Sequence, residues 1–341
     1  MADITTDVLI IGTGPAGSAT AALLASYGLE PLVINRYRWL ATTPRAHITN
    51  QRTMEVLRDL GQEVEDEAYM FATHQDLMGE NIFCESLAGE EIGRMKSWGN
   101  HPLSRAEHLM SSPTRMNDLP QTFMEPLLFK TACSRGAQSR MSTEYLSHVQ
   151  DTDGVTTTCR DRLTGKELTI RSKYLVGADG GKSLVAEHAG LPFEGKMGVG
   201  GSMNILFRAD LSAYVAHRPS VLYWVMQPGA DVGGIGMGLG FGQRQVELRQ
   251  LAGALDHPLL QLAVGDRADR RCEPAPEGVR VRPEPDVRVA LAARGGMGAA
   301  AALAAGIRRG LRLRRRRDPP RPLQRRCQRA HERQRHRTGC P

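Results

Sequence analysis

After Phe241 the chain contains no aromatic residue, after Lys196 no lysine and after Ser220 no serine. A folded core draws heavily on large rings, so the 99 residues from Gln243 to Pro341 are not expected to build an ordinary one. The same stretch carries 23 Arg against 10 acidic residues, a net +13, whereas residues 1–242 carry 21 basic and 27 acidic side chains, a net −6. The overall +7 therefore hides two regions: a globular part, 1–242, and an arginine-rich tail, 243–341, of different origin and expected to be disordered.

Other absences narrow the function. No run of eighteen apolar residues occurs, which argues against a membrane-spanning helix, and Met1 to Asp7 is neither basic nor apolar enough for a secretory signal. A cytoplasmic protein without a membrane partner is the expectation. Cys84, Cys133, Cys159, Cys272, Cys327 and Cys340 show no CxxC pair and no Cys/His ligand spacing. Neither a metal site nor a disulfide framework is indicated, and reduced thiols are expected. No internal repeat is evident, and the length suits one large or two modest domains.

What is present begins at Asp7. Val8-Leu9-Ile10-Ile11 suits a strand buried on both faces and leads into Gly12-Thr13-Gly14-Pro15-Ala16-Gly17; small helix-compatible residues follow to Ala25, and Pro31 to Asn35 reads as a second strand. Strand, GxGxxG, helix, strand is the context a dinucleotide site needs. Gly12 permits the tight turn, Gly14 lets backbone approach a pyrophosphate, and Gly17 allows the helix to pack closely. The free amides at the helix start, those of Ala16 and Gly17 with Gly14, and the positive end of the helix dipole suit phosphates, while Pro15 has no N–H and supplies the fixed first φ. The acid expected at the end of the second strand is replaced by Asn35, followed by Arg36. Asn35 can hydrogen-bond a ribose hydroxyl, but without charge.

Three further segments carry a resemblance. Pro44-Arg45-Ala46-His47 with Arg52 to Leu57, then Leu119-Pro120-Gln121 to Leu128, then Tyr174-Leu175-Val176-Gly177-Ala178-Asp179-Gly180-Gly181-Lys182-Ser183 follow the glycine motif in order. From about Thr6 to Gly240 the chain resembles the FAD-dependent aromatic hydroxylases, in particular their phenol and 2,4-dichlorophenol hydroxylase branch. The resemblance implies an α/β, Rossmann-like FAD-binding domain (1–70 and 108–190) interleaved with a β-sheet substrate domain (71–107 and 191–242), as in p-hydroxybenzoate hydroxylases, here truncated. It also implies FAD as cofactor, NAD(P)H as co-substrate, and O2 and a phenol as reactants.

Read on their own, Leu175 to Gly180 form an apolar strand ending in an acid-bearing turn, a place for a carboxylate to accept hydrogen bonds from a cofactor hydroxyl. An ordinary Asp-Gly surface turn is the alternative. The resemblance assigns Asp179, with Gly180, to the flavin ribityl chain, and Arg45 and Gln121 to positions beside FAD. Arg45 reads otherwise as a solvated charge and Gln121 as a helix cap. Many family members end the Asp179 motif in Arg where this chain has Ala186, so any role of that Arg is lost or moved. In related phenol hydroxylases an Asp occupies the place of His47. Hydroxylation needs an electron-rich phenolate-like ring, and an imidazole suits the deprotonation, so His47 is the candidate base or hydroxyl-orienting group; a structural loop histidine is the alternative. Tyr223 and Trp224 lie on a strand that would roof the substrate pocket, although strands also carry aromatics for packing.

Arg308-Arg309, Arg312, Arg314 to Arg317, Arg321, Arg325-Arg326 and Arg329 would ordinarily suggest a nucleic-acid-binding arm. The stretch has neither Lys nor an aromatic for base stacking, so no nucleic-acid partner is expected. Its Ala/Gly/Arg/Pro bias is what a GC-rich gene yields out of frame. Read from the second base of each codon, Leu311 to Arg326 can spell Cys-Val-Phe-Ala-Gly-Asp-Ala-Ile-His-Arg-Ala-Pro-Ser-Asn-Gly-Ala, which looks like the family's second FAD motif. The frame is expected to depart between about Gly238 and Gln250. The function expected is a phenol or chlorophenol monooxygenase, impaired in this copy. The alternatives are another FAD-dependent oxidoreductase of the same fold and a nucleotide- or RNA-binding protein whose basic tail is genuine. The tryptophan-rich WxWxIP motif of halogenases is absent, and nothing in the sequence excludes a homo-oligomer.

Overall fold

A computed structural model describes residues 2–43, 46–191, 195, 210–226, 237–240, 289–291 and 296–317. Its strands are β1 Ile4–Ile11, β2 Leu32–Ile34, β3 Ile48–Thr49, β4 Thr73–His74, β5 Glu80–Cys84, β6 Glu91–Lys96, β7 Asn117–Asp118, β8 Gln138–Arg140, β9 Thr143–Gln150, β10 Val155–Asp161, β11 Glu167–Gly177, β12 Leu222–Val225, β13 Met237–Gly240 and β14 Val289–Leu291. Its helices are α1 Pro15–Ser26, α2 Gln51–Leu60, α3 Gln62–Phe71, α4 Pro102–Met110, α5 Gln121–Ser134, α6 Leu184–His188, α7 Ser212–Val215 and α8 Gly296–Arg317.

The largest sheet runs β8-β2-β1-β11-β10-β9. β8, β2, β1 and β11 are mutually parallel, while β10 and β9 add antiparallel ribbons. The apolar run Val8–Ile11 forms the inner half of β1 and is 0–4% exposed, as a strand covered on both faces requires. One buried cluster joins Leu9, Ile11, Leu32, Ile34, Tyr145, Val155, Cys159, Ile170, Leu175 and Val185. Helix α1 is buried from Gly17 to Ala25 and packs along α5, its small side chains allowing the approach. Helix α2 starts where the Asn50 carboxamide oxygen accepts from the Thr53 amide at 2.9 Å, and it ends at Gly61, whose φ of +139° suits glycine.

A second sheet, β13-β12-β5-β6, draws on residues 80–96 and 222–240. Tyr223 is fully buried with Ile82, Cys84 and Val225 on one face, and its hydroxyl donates to the Arg218 carbonyl. Trp224 lies on the opposite face, stacked on Phe83 with ring centroids 6.3 Å apart. Tyr223 is thus a core residue, and of the two aromatics only Trp224 is partly exposed. A third, short sheet, β3-β7-β4, places Asp118 between Ile48 and Thr73.

The expectation of a disordered tail does not hold for all of it. β14 pairs in parallel with the end of β11, Val289 opposite Leu175 and Leu291 opposite Gly177, and α8 follows. Met297, Ala300, Ala304, Ile307 and Leu311 are buried at alternating spacings of three and four, the stripe an amphipathic helix presents. Alanine-rich sequence is strongly helix-forming and needs no aromatic side chain for this. The chain divides into two units, 1–304 and 305–341, the second holding the end of α8. Residues 243–288 and 318–341, including most of the proposed second motif, lie outside the described residues.

Candidate functional site

β1 delivers the chain to the carboxyl edge of the parallel sheet, where Gly12 donates its amide to the Ile34 carbonyl at 2.8 Å. Its φ is +106°, and a Cβ there would lie 2.3 Å from the Ala178 carbonyl oxygen. A Cβ on Gly17 would lie 2.0 Å from the Gly12 oxygen. These two glycines are required by protein packing alone. Gly14 differs: its φ is −63°, which any residue adopts, and a Cβ on it would meet nothing within 4 Å. It faces open space at the start of α1, whose first turn has no side-chain cap and no acidic residue. Pro15 opens the helix, so the uncapped end presents backbone amides and the positive dipole without competition.

Asp179 stands beside this turn, because the Ala178 amide donates to Ile11 at 2.8 Å and holds the end of β11 against that of β1. The carboxylate accepts from the Ser183 hydroxyl at 2.6 Å and from the Val185 amide at 3.2 Å, leaving acceptor capacity on both oxygens. Ser183 in turn caps α6 by accepting from the Ala186 amide at 2.9 Å. Gly180 follows at φ +91° with open space around it. At the far end of α6, His188 meets the buried Tyr145 hydroxyl at 2.9 Å, and His148 meets the same hydroxyl at 2.6 Å. Burial, and after it the negative charge of Asp179, push the Tyr145 pKa up, while burial and then His188 pull His148 down.

Asn35 is 8% exposed and braces the glycine turn. Its amide donates to the Thr13 hydroxyl at 2.6 Å and to the Trp39 carbonyl at 3.4 Å, and its oxygen accepts from the Tyr37 amide at 3.2 Å. Both donor hydrogens are committed to the protein, so only a remaining lone pair is open to a ligand hydroxyl. Arg36 is exposed, its guanidinium 4.8 Å from the Tyr37 ring centroid and donating to the Tyr37 hydroxyl at 2.8 Å.

The other expected residues form a second cluster. Arg45 lies outside the described residues. Gln121 donates its backbone amide to the Ala46 carbonyl at 2.8 Å, pinning that loop to the start of α5, while its side chain donates to Glu125 at 2.6 Å. Glu125 is 4% exposed and also accepts from the Ala41 amide at 2.7 Å. His47 Nδ1 lies 2.9 Å from Asp118 Oδ1. Asp118 was not singled out in the sequence, although an acid just before Leu119-Pro120-Gln121 was there to be noticed. Ser183 and Thr13 were likewise missed; a serine directly before a short apolar helix is the cap signal that could have found the former. A shallow polar hollow of about 320 Å³ beside Arg58, Glu65, Tyr69 and Arg115 touches neither cluster. Among the described residues no helix is long and apolar enough to cross a membrane, and no group of three His, Cys, Asp or Glu side chains is placed to hold a metal ion.

Comparison with known proteins supplies the context. The family model described as "FAD binding domain" matches residues 5–251. A 2,4-dichlorophenol 6-monooxygenase of Cupriavidus pinatubonensis is 59% identical over 236 residues, covering 69% of this chain and 39% of that protein. A phenol 2-monooxygenase of a Pseudomonas strain is 52% identical over 219 residues, covering 64% of this chain and 34% of that protein. The chain thus spans about two fifths or less of the length of these relatives. Among solved structures, the flavin-dependent monooxygenase PieE in complex with FAD and substrate is similar at a TM-score of 0.66 and 36% identity, over 77% of this chain and 46% of that one. A ternary complex of aklavinone-11 hydroxylase with FAD and aklavinone matches at 0.60 and 26%, over 92% and 64%.

Proposed function

The chain belongs to the FAD-binding domain family, and we propose that it is the flavin-holding portion of a monooxygenase that hydroxylates a phenol or chlorophenol ortho to its hydroxyl. The overall reaction takes a phenol, O2, NAD(P)H and a proton to a catechol, NAD(P)+ and water. The observation that carries the reading is the glycine turn: of its three glycines, two are filled by protein and only Gly14 is left open, at an uncapped helix end next to a carboxylate. That arrangement fits an anionic dinucleotide whose hydroxyls need an acceptor.

In this reading the amides of Gly14, Ala16 and Gly17 hold the pyrophosphate, with Pro15 fixing the first turn of the helix, Asp179 accepts from a ribityl hydroxyl, and Asn35 and Arg36 lie toward the adenosine. Arg45 and Gln121 flank the cofactor, and Gln121 keeps the 45–47 loop in register through its bond to Ala46. His47 takes the proton of the substrate hydroxyl, which raises electron density on the ring. When bound, FAD supplies the passage of electrons from NAD(P)H to O2; the protein supplies position and exclusion of water.

We further propose that the coding frame departs from that of the relatives between about Gly238 and Gln250. The family match ends at 251, and the 2,4-dichlorophenol 6-monooxygenase aligns with only 69% of the chain, which supports the reading. Coding DNA whose codons cannot spell the second FAD motif in the shifted frame would refute this.

The functional test is to saturate the purified chain with FAD, remove the excess by gel filtration and record the visible spectrum. A retained, near-stoichiometric flavin band is expected, followed by an assay of NAD(P)H oxidation with phenols. A colourless protein overturns the flavin-holding assignment for this chain.

A further inference from the structure

We propose that Asp118 is the positioning residue of His47, fixing the imidazole as the Nδ1–H tautomer so that Nε2 is the nitrogen left to accept a proton. The inference rests on the reading of His47 as the group that handles the substrate hydroxyl, and it adds the element that makes a loop histidine competent for that task.

Asp118 is 1% exposed, and its Oδ1 lies 2.9 Å from His47 Nδ1, with the His47 side chain 27% exposed. Among the described residues His47 is the side chain bonded to the carboxylate, through Oδ1; Oδ2 is buried and has no partner. Losing this bond would leave a buried carboxylate with no side-chain donor, which is costly, so the His47 ring is held to it. An ionised carboxylate only accepts, so the hydrogen of this contact sits on Nδ1, and in the neutral ring Nε2 is then bare. The orientation is rigid because Asp118 lies on the central strand of the short sheet, opposite Ile48, the residue after His47, on one side and opposite Thr73 on the other. The Gln121 amide bond to Ala46 fixes the residue before His47. His47 is thus held from both chain neighbours and from its own ring. A carboxylate holding an imidazole in one tautomer and orientation is the division of labour known from hydrolase triads.

The experiment reads the tautomer directly, without cofactor or turnover. The full 341-residue chain is labelled with ¹⁵N in its histidine rings, and long-range ring correlations are recorded at a pH about two units above the ordinary imidazole value near 6.5. The His47 signals are assigned by their loss in His47→Gln. In the wild-type chain Nδ1 is expected at the protonated position and Nε2 at the bare one. In Asp118→Leu, close in shape and without an acceptor, the two are expected to exchange, with Nε2–H becoming the major form. Asp118→Asn, which keeps the shape and loses the charge, serves where the leucine variant does not reproduce the wild-type circular dichroism; its Nδ1–H population is expected to fall as well.

An Nε2–H signal in the wild type, or one unchanged by loss of the Asp118 carboxylate, overturns the proposal. The reading beneath it fails separately. A nitrophenol whose phenolate absorbs in the visible range is added to the chain: no phenolate band, or one that persists in His47→Gln, removes His47 as the base while leaving the tautomer result standing.

Discussion

Two strands flank β11, and the segments that supply them are built from opposite materials. β1 runs beside β11 over the register Ile4 to Ile11 and continues into α1; β14 touches the other side for only three residues, Val289 to Leu291, and is followed by α8. α1 has no charged residue and is buried almost throughout, whereas α8 ends in Arg308, Arg309, Arg312 and Arg314 to Arg317. The difference teaches that the absence of aromatic residues measures whether a segment can make its own core. It does not measure whether a segment can add a strand to a sheet already present.

The comparison can be broken most severely at Gly17. Gly17→Val forces side-chain atoms into the Gly12 carbonyl, so it should cost at least about 3 kcal/mol and abolish flavin retention, as read by thermal denaturation and the flavin band. Gly14→Ala is the sharper probe. Its Cβ meets no protein atom, so stability should change by less than about 1 kcal/mol while flavin retention falls at least about tenfold; an equal loss of both would make Gly14 a folding residue.

The contribution of β14 is tested by a chain ending at Gly242. Amide exchange near Leu175 to Gly177 should quicken by about tenfold, the effect of roughly 1.4 kcal/mol of local stability, while the β1–β2 register stays protected. Equal protection with and without the tail would remove β14 from the sheet. Ser183→Ala deletes the α6 cap and one donor to Asp179, and a loss of about 1 kcal/mol is expected in denaturant unfolding.

The smallest effect is a pH dependence. His148 is held below its ordinary value by burial, so the unfolded chain binds a proton more readily than the folded one. The group is neutral in both states above about pH 6.5, and stability should fall as the pH drops from there toward the lower folded-state value. His148→Gln should flatten that decline in a series of melting temperatures; an unchanged slope would assign it to other groups.

Part of this was legible in the chain itself. The run Val8–Ile11, the spacing of Gly12, Gly14 and Gly17 and the acid after Ala178 are local patterns, and local sterics dictate a buried strand, a tight turn and a helix start wherever they occur. The aromatic-free tail was misjudged in part because composition does not report the period of three and four along Met297, Ala300, Ala304, Ile307 and Leu311. Tyr223 could equally have faced a pocket, since alternation along a strand says which residues share a face and not which face is covered.

By itself the sequence determined the strand-turn-helix of the glycine loop, the family, and the residue types available for a flavin. Only the tertiary structure decided how they are used. It placed Ala178 so close to Gly12 that no side chain fits, committed the Asn35 amide to Thr13 and Trp39, and brought Asp118 to His47 across a separation of 71 residues. Backbone conformation follows from neighbours in the chain, whereas the partner of a polar side chain follows from which distant strands pair, and that pairing is settled by burial of the whole core.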